Sequence, residues 1–167
     1  GYVSAIHWRE NPEFLCRTAV DTAVAMGRQL ALNTDELLLI RWGGLLHDIG
    51  MIWVPEGIYF KEGSLTEKEW EEMRKHPLYA MKILEHMPIF QHAQDIPCCH
   101  HENWDGTGYP KKLAGEDIPL AARLYAVVDS WYSMISARPY RPALGYEEAL
   151  GIIKDQSGKR FDPKIVE

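Results

Sequence analysis

Apolar residues recur along much of the chain at steps of three and four, the spacing that places side chains on one face of a helix. The first such run comprises Phe14, Ala19, Ala23, Met26 and Leu30. A second run, residues 37–45, follows Asn33, Thr34 and Asp35, which are residue types that cap helix N-termini. Strict apolar-polar alternation is absent. The pattern predicts an all-α fold, a compact helical bundle.

Turn and capping residues predict where the later helices begin. Ser64 or Thr66 is predicted to cap a helix that runs through Arg74. The pair His76-Pro77 opens another helix, which we expect to reach about residue 87, because proline is tolerated in a first turn.

Three further helices are predicted in the second half of the chain. One starts at about Phe90 and delivers His100 and His101, and one spans residues 119–136 with Asp129 on its inner face. Pro163 is predicted to start another. The tryptophans, Trp42, Trp53, Trp70 and Trp131 among them, are predicted to be core residues rather than interface residues.

Length, charge and cysteine usage narrow the class of protein. The 167 residues, 46% of them hydrophobic, fit one domain over 1–167, and a final helix start without a stop signal suggests that it was excised from a longer protein. A net charge of −6 disfavours binding to nucleic acid polymers. Three cysteines form no paired framework, which favours a cytoplasmic location. The most apolar stretch, 37–46, contains Arg41 and is too short for a membrane span.

Histidine and aspartate are concentrated at positions that suit metal binding. The adjacent pair His47-Asp48 ends an apolar run, where an unpaired carboxylate would cost several kcal/mol to bury. Downstream stand His76, the doublet His100-His101 and Asp129. Imidazole and carboxylate ligands hold divalent iron, manganese, zinc or nickel. A single such histidine is more often a hydrogen-bonded core residue, and the doublet also suits a solvated helix end. The combination favours a metallohydrolase.

Two other segments carry candidate binding residues. The stretch Trp104–Pro110 has turn chemistry, and its functional interpretation is that Gly108 lets the backbone approach a ligand while Tyr109 offers a ring and a hydroxyl. Arg138 and Arg141 flank Pro139 and Tyr140, and two guanidiniums there suit phosphate oxygens. Each segment also fits a plain loop or a solvated helix end.

Taken in order, these motifs resemble the HD-GYP family of the HD phosphohydrolase superfamily. The motifs are His47-Asp48, His76, His100-His101-Glu102, Gly108-Tyr109-Pro110 and Arg138-Pro139-Tyr140-Arg141. The resemblance covers nearly the whole chain. It implies a helical bundle around a metal centre that hydrolyses cyclic di-GMP to pGpG or GMP, by attack of a metal-activated hydroxide on phosphorus. It also implies a linked sensory or receiver domain and diguanylate cyclase (GGDEF) partners.

The resemblance assigns roles residue by residue. It implies two divalent ions, iron or manganese first and nickel or zinc as alternatives, with Asp48 bridging them and with His47 and Asp48 as the catalytic pair. The implied metal ligands are His47, Asp48, His76, His100, His101 and Asp129. The implied substrate-binding residues are Gly108, Tyr109, Arg138 and Arg141, with Glu13 as a ligand of a third metal.

Two positions depart from the family pattern. An upstream histidine ligand is expected on the first helix, but the aligned residue is Leu15 or Arg17, and Met51 stands where the family commonly has lysine. Loss of one charge-assisted contact costs about 1.5–3 kcal/mol, so reduced activity is expected. Three hypotheses stay open: an active cyclic di-GMP phosphodiesterase, a degenerate domain that binds the nucleotide or a partner, and an HD hydrolase of another phosphorylated compound.

Overall fold

Helices joined by short turns make up the described part of the chain. The computed structural model describes residues 12–137 and 142–167, with the backbone alone for residues 12–14. The α-helices are α1 (Pro12–Gln29), α2 (Thr34–Leu45), α3 (Glu56–Tyr59), α4 (Glu67–Met73), α5 (His76–Leu84), α6 (Asp95–Cys99), α7 (Leu120–Ile135), α8 (Tyr146–Asp155) and α9 (Pro163–Val166). Three 3-10 helices span Ile49–Trp53, Pro88–Ala93 and Gly115–Asp117. No strand occurs within these ranges, and the all-α prediction is confirmed.

Side-chain caps explain why two helices begin where the sequence predicts. The Asn33 side chain accepts hydrogen bonds from the amides of Asp35 and Glu36 at 2.9 and 3.0 Å, and the Glu36 carboxylate accepts one from the Asn33 amide at 2.8 Å. Thr66 and Glu69 form the same reciprocal arrangement at the start of α4. Each capping box satisfies amides that have no partner within the helix.

The prediction of one helix from about Phe90 to the histidine doublet is wrong. The chain forms the 3-10 helix Pro88–Ala93 and then the short helix α6, and His100 is the C-cap of α6. The cause is Pro97, which has no amide hydrogen to donate back to the Ala93 carbonyl. Pro97 therefore fits only the first turn of a new helix.

Other helix boundaries agree with the predictions, fall short of them or add to them. Helix α5 ends at Leu84, before the predicted residue 87, and α8 was not among the predicted helices. Pro163 does start a helix, and the buried Asp162 side chain caps it by accepting from the Lys164 amide at 2.9 Å. Within the described ranges, no helix has the length and apolar character needed to cross a membrane.

The principal core lies where α1, α2 and α7 meet. It is formed by Ala19, Val20, Ala23, Val24, Ile40, Ile96, Leu124, Tyr125 and Val128. A second cluster joins α7 to α8 and the C-terminal segment, through Val127, Met134, Ala149, Ile153 and Phe161. The core interpretation of the tryptophans is wrong for Trp42, Trp53 and Trp70, which are exposed, whereas Trp131 packs against the second cluster.

Two glycines near the histidines allow close packing that a Cβ would prevent. A Cβ on Gly44 would lie 2.7 Å from the ring of Tyr125, so its absence lets α2 pack on α7. A Cβ on Gly50 would lie 1.9 Å from the carbonyl oxygen of His76 and 2.6 Å from the amide of Ala80. Gly50 thereby brings the turn after His47-Asp48 against the first turn of α5.

Replacing Gly50 should therefore separate two parts of the histidine cluster. We expect Gly50→Ala to destabilise the fold by about 1–3 kcal/mol or more, because the added Cβ would clash with backbone atoms that cannot rotate away. Gly57→Ala is the matched control, since a Cβ there meets nothing within 4 Å. Urea unfolding measures both, and the control should be neutral or up to about 1 kcal/mol more stable. Equal stability of Gly50→Ala and the parent would contradict this packing.

Candidate metal centre

The predicted ligands converge where the ends of several helices meet. His47 and Asp48 lie in the turn that follows α2, His76 is the first residue of α5, and His100 and His101 follow α6. Helix ends suit this purpose, because a side chain there can point along the helix axis into a shared space. Asp129 on α7 is the fourth stretch of chain that contributes to this one cluster.

The carboxylate of Asp48 lies at the centre of this cluster. One oxygen, Oδ2, is 3.2 Å from His47 Nε2. The other, Oδ1, is 3.6 Å from His76 Nε2 and 3.9 Å from His100 Nε2. The two oxygens therefore face different histidines, which is the arrangement that a carboxylate bridging two ions requires.

Backbone carbonyls orient three of the imidazole rings. The Nδ1 atoms of His47, His76 and His100 lie 2.7, 3.0 and 2.8 Å from the carbonyl oxygens of Gly44, Met73 and Ile96. A carbonyl can only accept, so Nδ1 carries the hydrogen in each ring. In the neutral ring the Nε2 lone pair is then free and points towards Asp48, as in metal-ligating histidines.

Burial and the Asp48 charge divide the histidines into two kinds. Burial lowers the pKa of His76, His100 and His101, that of His101 to about 2, so these rings are neutral at pH 7. Burial also opposes the charge on His47, but the adjacent Asp48 carboxylate outweighs it and raises the pKa of His47 to about 9. The neighbouring imidazoles, His47 first, lower the pKa of Asp48 despite the opposing effect of burial.

The residues fit a divalent transition metal. Ligand atoms of His76, His100 and His101 all lie within 4.8 Å of one another. Two nitrogens on one zinc ion at about 2.1 Å are at most roughly 4.2 Å apart, so small ring rotations close the group around an ion. The Nε2 atom of His76 is buried and has no hydrogen-bond partner. A buried polar atom without a partner is rare in proteins, and a metal bond would supply one.

Asp129 is half-buried on α7, and its charge acts on His47, His76 and His100.

Tyr125, one turn before Asp129 on the same helix, is a residue that the sequence analysis missed. Its hydroxyl lies 3.1 Å from the Gly44 carbonyl and 3.3 Å from His47 Nδ1. The four-residue spacing to Asp129, which puts both on one helix face, is the signal that could have found it.

Glu102 supports the loop that carries Tyr109, and its role was also missed. Its side chain is 2% exposed, and its two oxygens accept from the amides of Lys111 at 2.7 Å and Leu113 at 3.0 Å. The acidic residue directly after the His100-His101 doublet was the available signal. A buried carboxylate with two amide donors holds the loop closed at its base.

Tyr109 and Gly108 contribute differently to this loop. The Tyr109 ring stacks on the His101 ring with centroids 4.8 Å apart, and the Tyr109 amide donates to the His101 carbonyl at 3.1 Å. A Cβ on Gly108 would lie 2.2 Å from the Asn103 amide nitrogen, so glycine is required for the loop to close. Contact between Gly108 and a substrate stays a prediction.

Three predicted site residues lie outside the described residues or are described by their backbone alone. Arg138 and Arg141 lie outside the described residues, and the side chain of Glu13 is not described. Their predicted roles, substrate binding for the arginines and third-metal binding for Glu13, therefore stay predictions. Met51 is half-buried, and its amide donates to the Asp48 carbonyl at 2.9 Å.

Comparison with known proteins agrees with this geometry. The family model described as "HD domain" matches residues 6–165, so the chain belongs to the HD-domain family. HD domains are metal-dependent, in accord with the histidine cluster. The predicted membership of the HD-GYP group within that family is confirmed. An HDG"Y"P protein from Bdellovibrio bacteriovorus has the same fold, with a TM-score of 0.72, 22% identity, and 91% of this chain and 49% of that chain covered.

Several relatives are named as enzymes of cyclic dinucleotides. A cyclic di-GMP phosphodiesterase of Vibrio cholerae is 43% identical over 73% of this chain and 26% of its own length. The cyclic di-GMP phosphodiesterase response regulator RpfG of Xanthomonas campestris is 39% identical over 85% of this chain and 38% of its own. A 3'3'-cGAMP-specific phosphodiesterase of Vibrio cholerae is 36% identical over 81% and 26%. The chain thus spans about a quarter to two fifths of these relatives.

The charge state of His47 predicts that metal binding releases a proton. Without metal, His47 is protonated below about pH 9, and a metal at Nε2 must displace that proton. His76, His100 and His101 are already neutral and release none. We expect about one proton per chain at about pH 7.5, declining to none well above pH 9, so apparent affinity rises with pH in between.

Calorimetric titration with Mn²⁺ in two buffers of different ionisation enthalpy measures this release. The His47→Gln variant should still bind at the remaining ligands but release close to no proton. A parent protein that binds Mn²⁺ without proton release would contradict ligation by His47.

Proposed function

We propose that this domain is a metal-dependent phosphodiesterase that hydrolyses cyclic di-GMP to pGpG, to GMP or to both. The observation that carries the proposal is the Asp48 carboxylate, with one oxygen facing His47 and the other facing His76 and His100. The names of the relatives, most of them cyclic di-GMP phosphodiesterases, support the choice of substrate.

The domain is proposed to hold two divalent ions, iron or manganese in preference to nickel or zinc. His47, Asp48 and Asp129 would hold the first ion. Asp48, His76, His100 and His101 would hold the second, which the proximity of the last three rings supports. Bound ions would supply Lewis-acid polarisation of a phosphate and a lowered pKa of water, the chemistry that phosphodiester hydrolysis needs.

The chain's own residues would orient the ligands and the substrate. The carbonyls of Gly44, Met73 and Ile96 hold the imidazoles with Nε2 inward. Burial raises the pKa of Tyr109 to about 12, so its hydroxyl stays protonated and can donate to a phosphate oxygen. His47 and Asp48 are the proposed catalytic pair, and Gly108, Arg138 and Arg141 are proposed to contact the substrate.

Two alternatives have specific support. Leu15 or Arg17 in place of the upstream histidine, and Met51 in place of lysine, favour a domain that binds the nucleotide with little hydrolysis. The 36% identity to a 3'3'-cGAMP-specific phosphodiesterase favours a hybrid cyclic dinucleotide as substrate. Four histidines around Asp48 are suited to bind metal: His47, His76, His100 and His101. This ligand set favours a hydrolytic domain over one that only binds the nucleotide.

The biological setting is proposed from the same relatives. Because the chain spans 26% to 38% of the first relatives, we propose that residues 1–167 form a single domain of a longer cytoplasmic regulatory protein. A linked sensory or receiver domain and diguanylate cyclase (GGDEF) proteins are the proposed partners. The response regulator among the relatives supports the first of these.

The activity is tested directly with metal-loaded protein. Protein reconstituted anaerobically with Fe²⁺, or with Mn²⁺, is incubated with cyclic di-GMP and with 3'3'-cGAMP, and products are resolved by chromatography. We expect pGpG or GMP from cyclic di-GMP with at least one metal. Binding of cyclic di-GMP without product would support the degenerate alternative, and turnover of 3'3'-cGAMP alone would support the hybrid substrate.

Asp48 should be indispensable to both metal content and activity. We expect Asp48→Ala to lower the bound metal from about two ions to one or none per chain and to abolish hydrolysis, because it removes the proposed bridge. Asp155→Ala, which removes an exposed carboxylate at the end of α8, should change neither. Elemental analysis with a thermal melt distinguishes ligand loss from unfolding. Unchanged metal content in Asp48→Ala would refute the bridging role.

A further inference from the structure

Two guanidinium groups outside the predicted site act electrostatically on Tyr109. The Tyr109 ring covers His101, and its own electrostatic surroundings include the charges of Arg74 and Arg160. Arg160 also acts on His101 itself. Neither arginine was singled out in the sequence, because neither lies in a histidine, aspartate or glycine-tyrosine-proline motif.

Backbone hydrogen bonds to the loop that carries Tyr109 position the backbone of Arg160. Its carbonyl accepts from the Trp104 amide at 3.1 Å, and the carbonyl of Lys159 accepts from the Asp105 amide at 2.9 Å. These bonds fasten the C-terminal turn to the loop that carries Tyr109. The Arg160 guanidinium lies over the Phe161 ring, 5.3 Å from the ring centroid. The side chain is exposed, so its donors are open to a ligand.

The ion pair between Arg123 and the buried Asp162 stabilises this turn. Asp162 is 1% exposed and accepts from Arg123 Nη1 at 2.6 Å, while the Arg123 guanidinium lies 5.7 Å from the Trp104 ring. Phe161 is also buried. The backbone of Arg160 is thus held on both sides by packed residues, independently of its own side chain.

Arg74 approaches from the opposite part of the chain. It is the C-cap of α4, two residues before His76, and its guanidinium lies 5.7 Å from the Trp70 ring. Its distance to the Glu67 carboxylate is 3.8 Å, and both side chains are largely exposed, so this ion pair is weak. Its donors are also open to an anion.

The chemistry of a cyclic dinucleotide calls for cations at such a place. The molecule has two phosphodiesters on opposite sides of its ring, each with a negative charge. Ions at the histidine cluster would neutralise the one that is cleaved, and the other needs a separate positive partner. Met51 cannot provide it, because a thioether has no donor. Guanidinium groups bind phosphate oxygens through two parallel hydrogen bonds.

We infer that Arg160, assisted by Arg74, binds the phosphodiester of the cyclic dinucleotide that is not being hydrolysed. The inference rests on the proposed function, and it assigns to the C-terminal turn a part of the substrate site. Arg160 is the principal contact because its backbone is fastened to the Tyr109 loop, whereas Arg74 ends a short exposed helix.

The test compares two substrates that differ in the second phosphodiester. Cyclic di-GMP has two phosphodiesters, whereas bis(p-nitrophenyl) phosphate has only one, the one that is hydrolysed. For Arg160→Gln we expect the KM for cyclic di-GMP to rise about tenfold with kcat within about twofold, since one charge-assisted contact is lost. Kinetics on bis(p-nitrophenyl) phosphate should be unchanged. Arg160→Lys should recover part of the loss, and Arg74→Gln should show a smaller rise.

Lys159→Gln is the matched control, because it removes one positive charge from the same exposed turn. It should leave both substrates unaffected. An unchanged KM for cyclic di-GMP in Arg160→Gln, or an equal loss on both substrates, would overturn the inference while leaving the proposed function intact.

The wild type distinguishes failure of the inference from failure of the proposed function. If it binds cyclic di-GMP without turnover, the dissociation constant from calorimetry replaces KM, and the same tenfold difference between Arg160→Gln and Lys159→Gln is expected. If it cleaves bis(p-nitrophenyl) phosphate but neither cleaves nor binds cyclic di-GMP, the proposed function fails and the inference fails with it.

Discussion

The attraction between the Asp48 carboxylate and the surrounding imidazoles is the interaction on which the rest of this site depends. The Asp48 side chain keeps 49% of its surface exposed to solvent, and nearby positive charge stabilises the carboxylate further. In the protein alone that charge is the proton on His47. The same geometry makes the cluster a competent metal site, because a divalent ion can replace the proton and also satisfy the buried Nε2 of His76.

The fold serves this cluster by bringing helix ends together at close range. Gly44 leaves room for the Tyr125 ring, Gly50 lets its backbone approach that of His76 and Ala80, and carbonyls at helix ends set the three ring orientations. Glu102 and the Arg123–Asp162 pair then hold the outer loop and the C-terminal turn. These buried charges are each matched by specific donors, which is why they can sit in the interior at all.

The chain's departures from its family concern positive charge and one ligand rather than the central carboxylate. Met51 stands where the family commonly has lysine, and Arg74 and Arg160 are other cations whose charge acts on Tyr109. The affinity for a substrate with two phosphates depends on the sum of such contacts. Loss of one contact therefore does not by itself decide whether the domain hydrolyses its substrate. The ligand set around Asp48 bears on that question more directly than Met51 does.

Local patterns were sufficient for the longer early helices and for the candidate ligands, but they did not predict α8 or the break before α6. Asn33 and Thr66 cap their helices through residues two or three positions away, and His47-Asp48 and His100-His101 were recognisable by adjacency alone. Contacts between distant parts of the chain decided the rest. They expose Trp42, Trp53 and Trp70, join Tyr125 to His47, and place Arg160 beside the loop of Tyr109. Such contacts depend on how helix faces pack, because residue spacing within one helix shows which residues share a face but not which part of the chain that face meets.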